Sequence, residues 1–418
     1  MTETTRGQHR CILSIDQGSS SLKTAVYEVG ADSEQRLFEG GIERLGTPDV
    51  ALRLRDYRDS VPRKMAKAIR ALSPIAALLE MLQEEGVHID GVGHRLVFGG
   101  SAHEAPTRVT AELMTSLDAL VAVDPLHLPS ALAAIREIEA ALPAVAQVVC
   151  FDTSFHRRMP MVAQRLPLPR ELWSEGVRRY GFHGLSYESI VSELGDAGTR
   201  GRMVVAHLGN GASLAAIRDG KPIDTTMGFS PLGGLMMGTR PGDLDPGALL
   251  YLLRAKRYTL AELDDVLNHR SGLLGVSQCS PDMHTLLDRR ADDVPAAQAV
   301  ELFVYEAKKH IGALVAALGG LETFVFTGGM GEHSAAIRSE IATGLKHLGV
   351  ELDPVRNAAG APIISVDDAR VTVRMIPANE DLMVARHTFT TVFASSINEV
   401  KRRSIPGRAH DARAEVSA

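Results

Sequence analysis

Apolar runs of strand length alternate with longer stretches of helical period along most of the chain, a pattern that predicts layered α/β structure. The first two runs, Cys11-Ile12-Leu13-Ser14 and Thr24-Ala25-Val26-Tyr27, flank Ile15-Asp16-Gln17-Gly18-Ser19-Ser20-Ser21-Leu22-Lys23. That order predicts strand, tight turn, strand. Residues 62–85, rich in Ala, Leu, Lys and Glu, read as helical with a break at Pro74. A strand is expected over residues 92–98, ending at Gly99-Gly100. A helix over 130–142, stopped by Pro143, precedes a strand over 145–151 that ends at Asp152-Thr153. The clearest amphipathic helix spans residues 298–318. It leads through Gly319-Gly320 into a buried strand over 323–326 and the turn Thr327-Gly328-Gly329-Met330-Gly331. Residues 334–348 read as the helix after that turn.

A second hairpin repeats the plan of the first. Met203-Val204-Val205-Ala206-His207-Leu208-Gly209-Asn210-Gly211-Ala212-Ser213-Leu214-Ala215 has the same order of apolar run, Gly turn, hydroxyl, Leu and apolar run. Internal duplication is therefore expected, with two Gly turns facing each other across one cleft. The length of 418 residues agrees with two domains. With 45% hydrophobic and 23% charged residues the composition is that of a soluble globular protein. A net charge of −6 gives no basic footprint for nucleic acid, so an anionic substrate would need a locally basic cleft. Three well-separated cysteines, Cys11, Cys150 and Cys279, form neither a disulfide framework nor a zinc spacing. Residues 1–9 lack an apolar signal core, and no run approaches the roughly 18 apolar residues of a membrane span. A soluble cytoplasmic protein is expected, with a disordered tail over 399–418.

Candidate chemistry gathers at the glycine turns. Gly18, Gly209 to Gly211 and Gly328 to Gly331 each follow an apolar strand. Backbone N–H groups at such turns can approach phosphate, and Ser19, Ser21 and Lys23 add donors. Asp16 at the mouth of the first turn can hold a metal or its water shell. Tight packing of strand against helix would explain the same glycines. Arg95 interrupts the apolar strand His94-Arg95-Leu96-Val97-Phe98, and Arg240 lies in the Gly/Pro-rich loop Met236-Met237-Gly238-Thr239-Arg240-Pro241-Gly242-Asp243. Each must meet either an anion or a structural carboxylate. Asp152 ends a buried strand, as a ligand-binding residue or an N-cap. His183 is flanked by Gly181 and Gly184, and Glu380 follows an apolar run, either capping the last helix or serving a metal. No serine-protease, zincin, dinucleotide or P-loop spacing occurs.

Taken together these segments resemble the acetate kinase family, from about residue 12 to 386. The blocks are Gly18-Ser19-Ser20-Ser21-Leu22-Lys23, His94-Arg95, Phe151-Asp152-Thr153, Tyr180-Gly181-Phe182-His183-Gly184, His207-Leu208-Gly209-Asn210-Gly211-Ala212-Ser213, Met227-Gly228-Phe229, Met236-Met237-Gly238-Thr239-Arg240, Ser280-Pro281-Asp282-Met283, Phe326-Thr327-Gly328-Gly329-Met330-Gly331-Glu332 and Asn379-Glu380. The resemblance implies an α/β, two-lobed, duplicated actin/Hsp70/sugar-kinase-like (ribonuclease H-like) fold with central mixed sheets. The N-terminal lobe would comprise residues 1–151 plus 383–398, and the C-terminal nucleotide-binding and dimerisation lobe 152–382. It implies Mg²⁺-dependent (Mn²⁺ as a substitute) transfer of phosphoryl from ATP to acetate or propionate, giving acyl phosphate and ADP, by a homodimer. Arg95 and Arg240 would grip the acyl carboxylate and the phosphoryl group in flight, with His183 and Asn210 on the phosphate. Asp152 and Glu380 would hold the metal, and Asp16 would add to its shell. Ser19, Ser21, Lys23, His207, Asn210, Gly211, Asp282, Met283, Gly329 and Gly331 would bind the nucleotide and its phosphates. Val97, Leu126, Phe182 and Pro231 would form an apolar acyl pocket.

The chain departs from the family pattern at several places. Asp16 stands where Asn is usual, Leu185 and Tyr187 where a small polar residue and His are usual, Leu128 for Asn, Gly233 for Glu and His284 for Arg. The alternatives that stay open are a butyrate-type or pyrophosphate-dependent kinase, and a nucleotide-binding homologue with impaired catalysis. The paired arginines favour an enzyme, because a carboxylate acceptor ionises at roughly pH 4–5 and needs relief from anion repulsion, not a general base.

Overall fold

The computed structural model describes residues 9–18, 21–43, 50–69, 73–121, 124 and 127–403. Two mixed sheets carry the architecture. The first contains β1 (Arg10–Gln17), β2 (Ser21–Val29), β3 (Glu34–Glu43), β4 (Ala51–Asp56), β5 (Arg63–Ala68), β6 (Gly91–Leu96), β7 (Thr107–Arg108) and β8 (Ala146–Phe151). Its spatial order is β5-β4-β3-β2-β1-β6-β8-β7. The second contains β9 (Arg202–Leu208), β10 (Ala212–Arg218), β11 (Lys221–Thr225), β12 (Thr323–Thr327) and β13 (Thr372–Met375), in the order β11-β10-β9-β12-β13.

The duplication expected from the hairpins is present in the strand order. In each sheet a first strand pairs antiparallel with the next, and parallel with a later strand that arrives after a crossover. β3-β2-β1-β6-β8 and β11-β10-β9-β12-β13 are the same path. The period of two along β9 explains why the second sheet is covered on both faces. Val204, Ala206 and Leu208 enter one core, with Val300, Phe303 and Ala307 of α3 (Val294–Leu318; α1 and α2 follow below). Met203 and Val205 point the other way, toward Tyr187 and Ile190. In the first sheet Leu13 and Ile15 face the helix Pro74–Glu84, while Ile12 faces Ala385 and Phe389 of the last helix. That helix, α6 (Glu380–Arg403; α4 and α5 are given below), returns the chain to the first lobe. Gly93 of β6 lets it lie close, for a Cβ there would meet Thr388 Oγ1 at 2.3 Å.

Helices α1 (Leu128–Ala141), α4 (Gly328–His333) and α6 carry residues that line the cleft, α2 (Gly184–Gly198) begins beside it at His183, and α5 (Ala335–Thr343) follows α4. The sequence reading differs from the structure at several elements. Residues 63–68 form the edge strand β5 instead of a helix, and Pro74 begins a helix instead of breaking one. Pairing with β4 overrides the helical propensity of Lys and Ala, and lysines suit an exposed edge. The glycine run 328–331 is itself helical, and α5 ends at Thr343 before a short 3₁₀ turn, Lys346–Leu348. α6 continues through residues 399–403, and the rest of the expected tail, 404–418, lies outside the described residues. Among the described residues no helix is long and apolar enough to cross a membrane.

Candidate functional site

The carboxyl ends of the parallel strands meet at a cleft of about 760 Å³ between the lobes. β1 delivers Asp16, β6 delivers Arg95, and the residue after β8 is Asp152. The register brings them together, with Leu96 beside Phe151 and Ile15 beside His94. Across the cleft the β9–β10 turn supplies Gly209, Asn210 and Gly211, and the first turn of α4 supplies Gly328 and Gly329. Ligands gather at such strand ends because no side chain continues the sheet there.

Arg95 is the electrostatic centre of the first lobe's contribution. Its Nε donates to Asp152 Oδ1 at 3.0 Å and its Nη2 to Asp152 Oδ2 at 2.6 Å. Nη1 donates to Asp16 Oδ2 at 2.8 Å, and Glu380 Oε2 stands 3.3 Å from Nε. Asp152 is almost wholly buried, which raises its carboxyl pKa against the pull of Arg95. The three carboxylates expected at a metal, Asp152 and Glu380 by resemblance and Asp16 from its place at the first turn, therefore converge on a guanidinium. Among the described residues no group of three or more His, Cys, Asp or Glu side chains is arranged around a metal position. Asp152 has both oxygens engaged by Arg95 and is held against the guanidinium. Asp16 and Glu380 keep about a fifth of their side-chain surface open, 22% each. Asp381 adds a fourth carboxyl, pushed up to about 6 by burial and held by Ser14 Oγ at 3.0 Å.

Arg240 has a different setting. Its Nη1 donates to the Pro231 carbonyl at 2.7 Å, and among the described residues no carboxylate pairs with it. Burial pushes its pKa down to about 10, so it still carries its charge at neutral pH. A Cβ on Gly211 would lie 2.8 Å from Arg240 Nη2 and 3.3 Å from His183 Nε2. Side chains from two different elements thus converge beside Gly211, an approach that a larger residue would crowd.

His183 reaches that point from a left-handed backbone, φ 57°, at the N-cap of α2. A non-glycine residue held there is strained, as is common at functional sites. The next residue must be small, because a Cβ on Gly184 would lie 2.1 Å from the Asp152 carbonyl, which accepts from the Gly184 N–H at 2.8 Å. The His183 ring stacks on His207, with centroids 4.2 Å apart. Burial pushes the pKa of His183 well below the ordinary value, with His207, Arg95 and Arg240 adding to it, so the ring is neutral at pH 7. Asn210 is packed over Gly238, where a Cβ would meet Asn210 Oδ1 at 1.9 Å, and its carbonyl accepts from the Gly238 N–H at 2.9 Å.

The cleft brings together Asp16, Ser21, Lys23, Arg95, Val97, Asp152, Phe182, His183, His207, Asn210, Gly211, Pro231, Arg240, Gly329 and Glu380. Val97, Phe182 and Pro231 provide its apolar wall, joined by Leu128 and Ala131 of α1. Three expected nucleotide residues are not on its walls. Asp282 is an exposed N-cap that accepts from the Thr285 N–H at 3.0 Å, Met283 is buried in the second-lobe core, and Gly331 packs against β12. Ser19 and Leu126 lie outside the described residues. The sequence reading missed Glu332 and Asp381. Glu332 Oε1 accepts from the Gly328 N–H at 2.9 Å and the Ala378 N–H at 3.2 Å, tying the glycine turn to the segment before α6. Its position beside the glycine run was the available signal.

The chain matches a protein-family model, the Acetokinase family, over residues 11–386. An acetate kinase of Rhodopseudomonas palustris (strain TIE-1) is 45% identical over 389 residues, covering 90% of this chain and 97% of that protein. An acetate kinase of Rhizobium meliloti is 43% identical over 392 residues, covering 92% and 98%. Among solved structures, a propionate kinase from Francisella tularensis subsp. tularensis SCHU S4 superimposes with a TM-score of 0.85 at 32% identity, covering 92% of this chain and 100% of that one. The Porphyromonas gingivalis acetate kinase gives 0.80 at 34%, covering 91% and 99%. Sequence, strand path and cleft agree that this chain belongs to the acetokinase family.

Proposed function

We propose that this chain, a phosphotransferase by family, moves the terminal phosphoryl group of ATP to acetate or propionate, reversibly forming an acyl phosphate and ADP. The observation that carries the reading is the convergence of Arg240 and His183 on the cleft wall beside Gly211. An anion bound in the cleft against this pair would meet one full positive charge and one neutral imidazole in a largely buried setting, where preorganised donors act most strongly. The apolar wall of Val97, Phe182 and Pro231 beside Arg240 suits the short alkyl group of a small acid. A sugar would need polar partners at the same wall.

The chemistry asks little of the protein beyond positioning and charge. The acceptor carboxylate is already a nucleophile at neutral pH, and its approach to a polyphosphate is opposed by repulsion. Arg240 offsets that repulsion at the acceptor side. His183 donates to the equatorial oxygens where charge spreads. Asn210, Gly211 and Gly329, on the cleft wall, would offer N–H groups to the nucleotide phosphates. Arg95, held by Asp152, keeps Asp16 and Glu380 at the mouth of the cleft.

A divalent cation fits this donor set. Asp16, Asp152, Glu380 and Asp381 face only Arg95 and Lys23 among the cations of this wall, which leaves the site short of positive charge. Asp16 and Glu380, hard oxygen donors with open surface, would hold Mg²⁺ together with nucleotide phosphates, as this ion prefers over an all-protein cage. When bound it would supply charge neutralisation of the polyphosphate. The exposed Leu250, Tyr251, Leu260, Leu302 and Tyr305 on second-lobe helices support the homodimer that the resemblance implies.

Trapping product as hydroxamate, with ATP, Mg²⁺ and a panel of short-chain acids, tests the reading. Acyl hydroxamate with acetate or propionate is expected. Product only with butyrate or longer acids, only with pyrophosphate as donor, or with no acid at all would overturn it.

A further inference from the structure

Behind His183 lies a buried chain of hydroxyls that phosphoryl transfer does not by itself require. His183 Nδ1 lies 2.8 Å from Ser213 Oγ, and Ser213 Oγ is in turn hydrogen-bonded to the Tyr187 hydroxyl. Ser213 and Tyr187 are fully buried. Two elements fix the line. Tyr187 sits one turn into α2, its N–H donating to the His183 carbonyl at 3.1 Å, so the two side chains share a helix face. Ser213 comes from β10, opposite His207 in the register.

Only one arrangement of protons satisfies all three groups. If His183 Nδ1 carried the proton and donated to Ser213, the serine would either accept from Tyr187 as well, leaving its own buried proton without an acceptor, or donate to Tyr187. The phenol proton would then be buried without an acceptor, since Ser213 is the phenol's hydrogen-bond partner. In the opposite direction both buried hydroxyl protons have acceptors. Tyr187 O–H donates to Ser213, Ser213 O–H donates to His183 Nδ1, and the imidazole proton resides on Nε2, the atom that faces Gly211 and Arg240. Burial keeps the phenol protonated well above its usual range.

We propose that Tyr187 and Ser213 are positioning residues that lock neutral His183 in its Nε2–H form, so that it presents a donor and not a lone pair to the transferring phosphoryl group. The proposal rests on the carboxylate-kinase reading for its catalytic consequence, but the proton assignment does not. Tyr187 stands where the resemblance leads to an expectation of His.

The test uses the full chain with ¹⁵N-labelled histidine side chains, the His183 signals being assigned by their loss in His183→Gln. The wild type should show the Nε2–H form. In Ser213→Ala and Tyr187→Phe the signal should move toward the Nδ1–H form, or a mixture. Turnover should fall by about 10- to 100-fold, the scale for removing an outer partner that fixes a histidine's tautomer. KM for ATP should stay near the wild-type value, and Ser213→Thr should restore both tautomer and turnover. An Nδ1–H wild type, a tautomer unchanged in both variants, or a changed tautomer with wild-type turnover would overturn the relay. If the wild type phosphorylates no acid, the kinase reading fails, while the NMR result still decides the proton assignment.

Discussion

Arg95 and Arg240 separate two uses of the same side chain. Arg95 is spent on carboxylates of its own protein, and Arg240 on a backbone carbonyl and open cleft. Removing Arg95 strands the buried Asp152. Arg95→Ala should therefore lose about 3–5 kcal/mol of stability by denaturant titration, the cost of an unpaired buried charge. Asp152→Asn in the same chain should recover much of it, and an unchanged midpoint for Arg95→Ala would contradict this. Gly211→Ala probes the convergence of Arg240 and His183. Its Cβ would approach only the tips of Arg240 and His183, so turnover should fall at least 10²-fold, the scale of one lost preorganised donor, with little change in Tm. Arg95, Arg240 and His183 were legible in the sequence because each breaks an apolar or glycine-rich pattern. Glu332, Asp381 and Ser213 were not, since their roles arise from contacts made by distant segments: Glu332 with Ala378, Asp381 with Ser14, Ser213 with His183. Asp282 and Met283 were placed by resemblance alone, and their own contacts are a helix cap and a core.

At the scale of elements, glycines mark where two pieces of backbone must touch. Gly93 allows α6 onto β6, and α6 begins with Glu380 and Asp381, so the same contact aims two cleft carboxylates. Gly93→Val should destabilise by about 1–3 kcal/mol, as overpacked cores do, and lower turnover as α6 shifts. A variant with wild-type Tm and activity would show that α6 tolerates the added volume. The apolar strands and the long helix α3 were readable from period and length alone. The edge strand β5 was not, because its side chains are mostly exposed and its strand character comes from pairing with β4. The glycine turn at 328 read as a loop because helix formation there depends on Glu332 capping the Gly328 N–H.

The whole molecule repeats one strand path twice, and the repeat was visible in sequence only where hairpin meets hairpin, since the helices between have diverged in length. Four buried histidines give it an acid limit. Burial pushes His94, His156 and His207 down to about 4, and it pushes His183 well below the ordinary value. The unfolded chain takes up these protons near 6.5, so it holds more protons than the folded chain between about 6.5 and 4, and stability falls as pH drops through that window. Asp152 and Asp381, raised by burial, act in the opposite sense, because the folded chain keeps protons that the unfolded chain releases. Four groups against two leave a net loss, so the urea midpoint should be lower at pH 5 than at pH 7. A higher midpoint at pH 5 would contradict the neutral state of these histidines. The proposed homodimer predicts twice the chain mass by light scattering, and a monomer under all conditions would remove it.

The most direct measurement is turnover of Arg240→Ala in acyl-phosphate formation, beside a Tm that confirms folding. Because Arg240 has no carboxylate partner among the described residues, the substitution should leave Tm near wild type. Turnover with acetate or propionate should fall by about 10²–10³-fold or more. A folded Arg240→Ala enzyme that turns over at close to the wild-type rate would contradict the account at its centre.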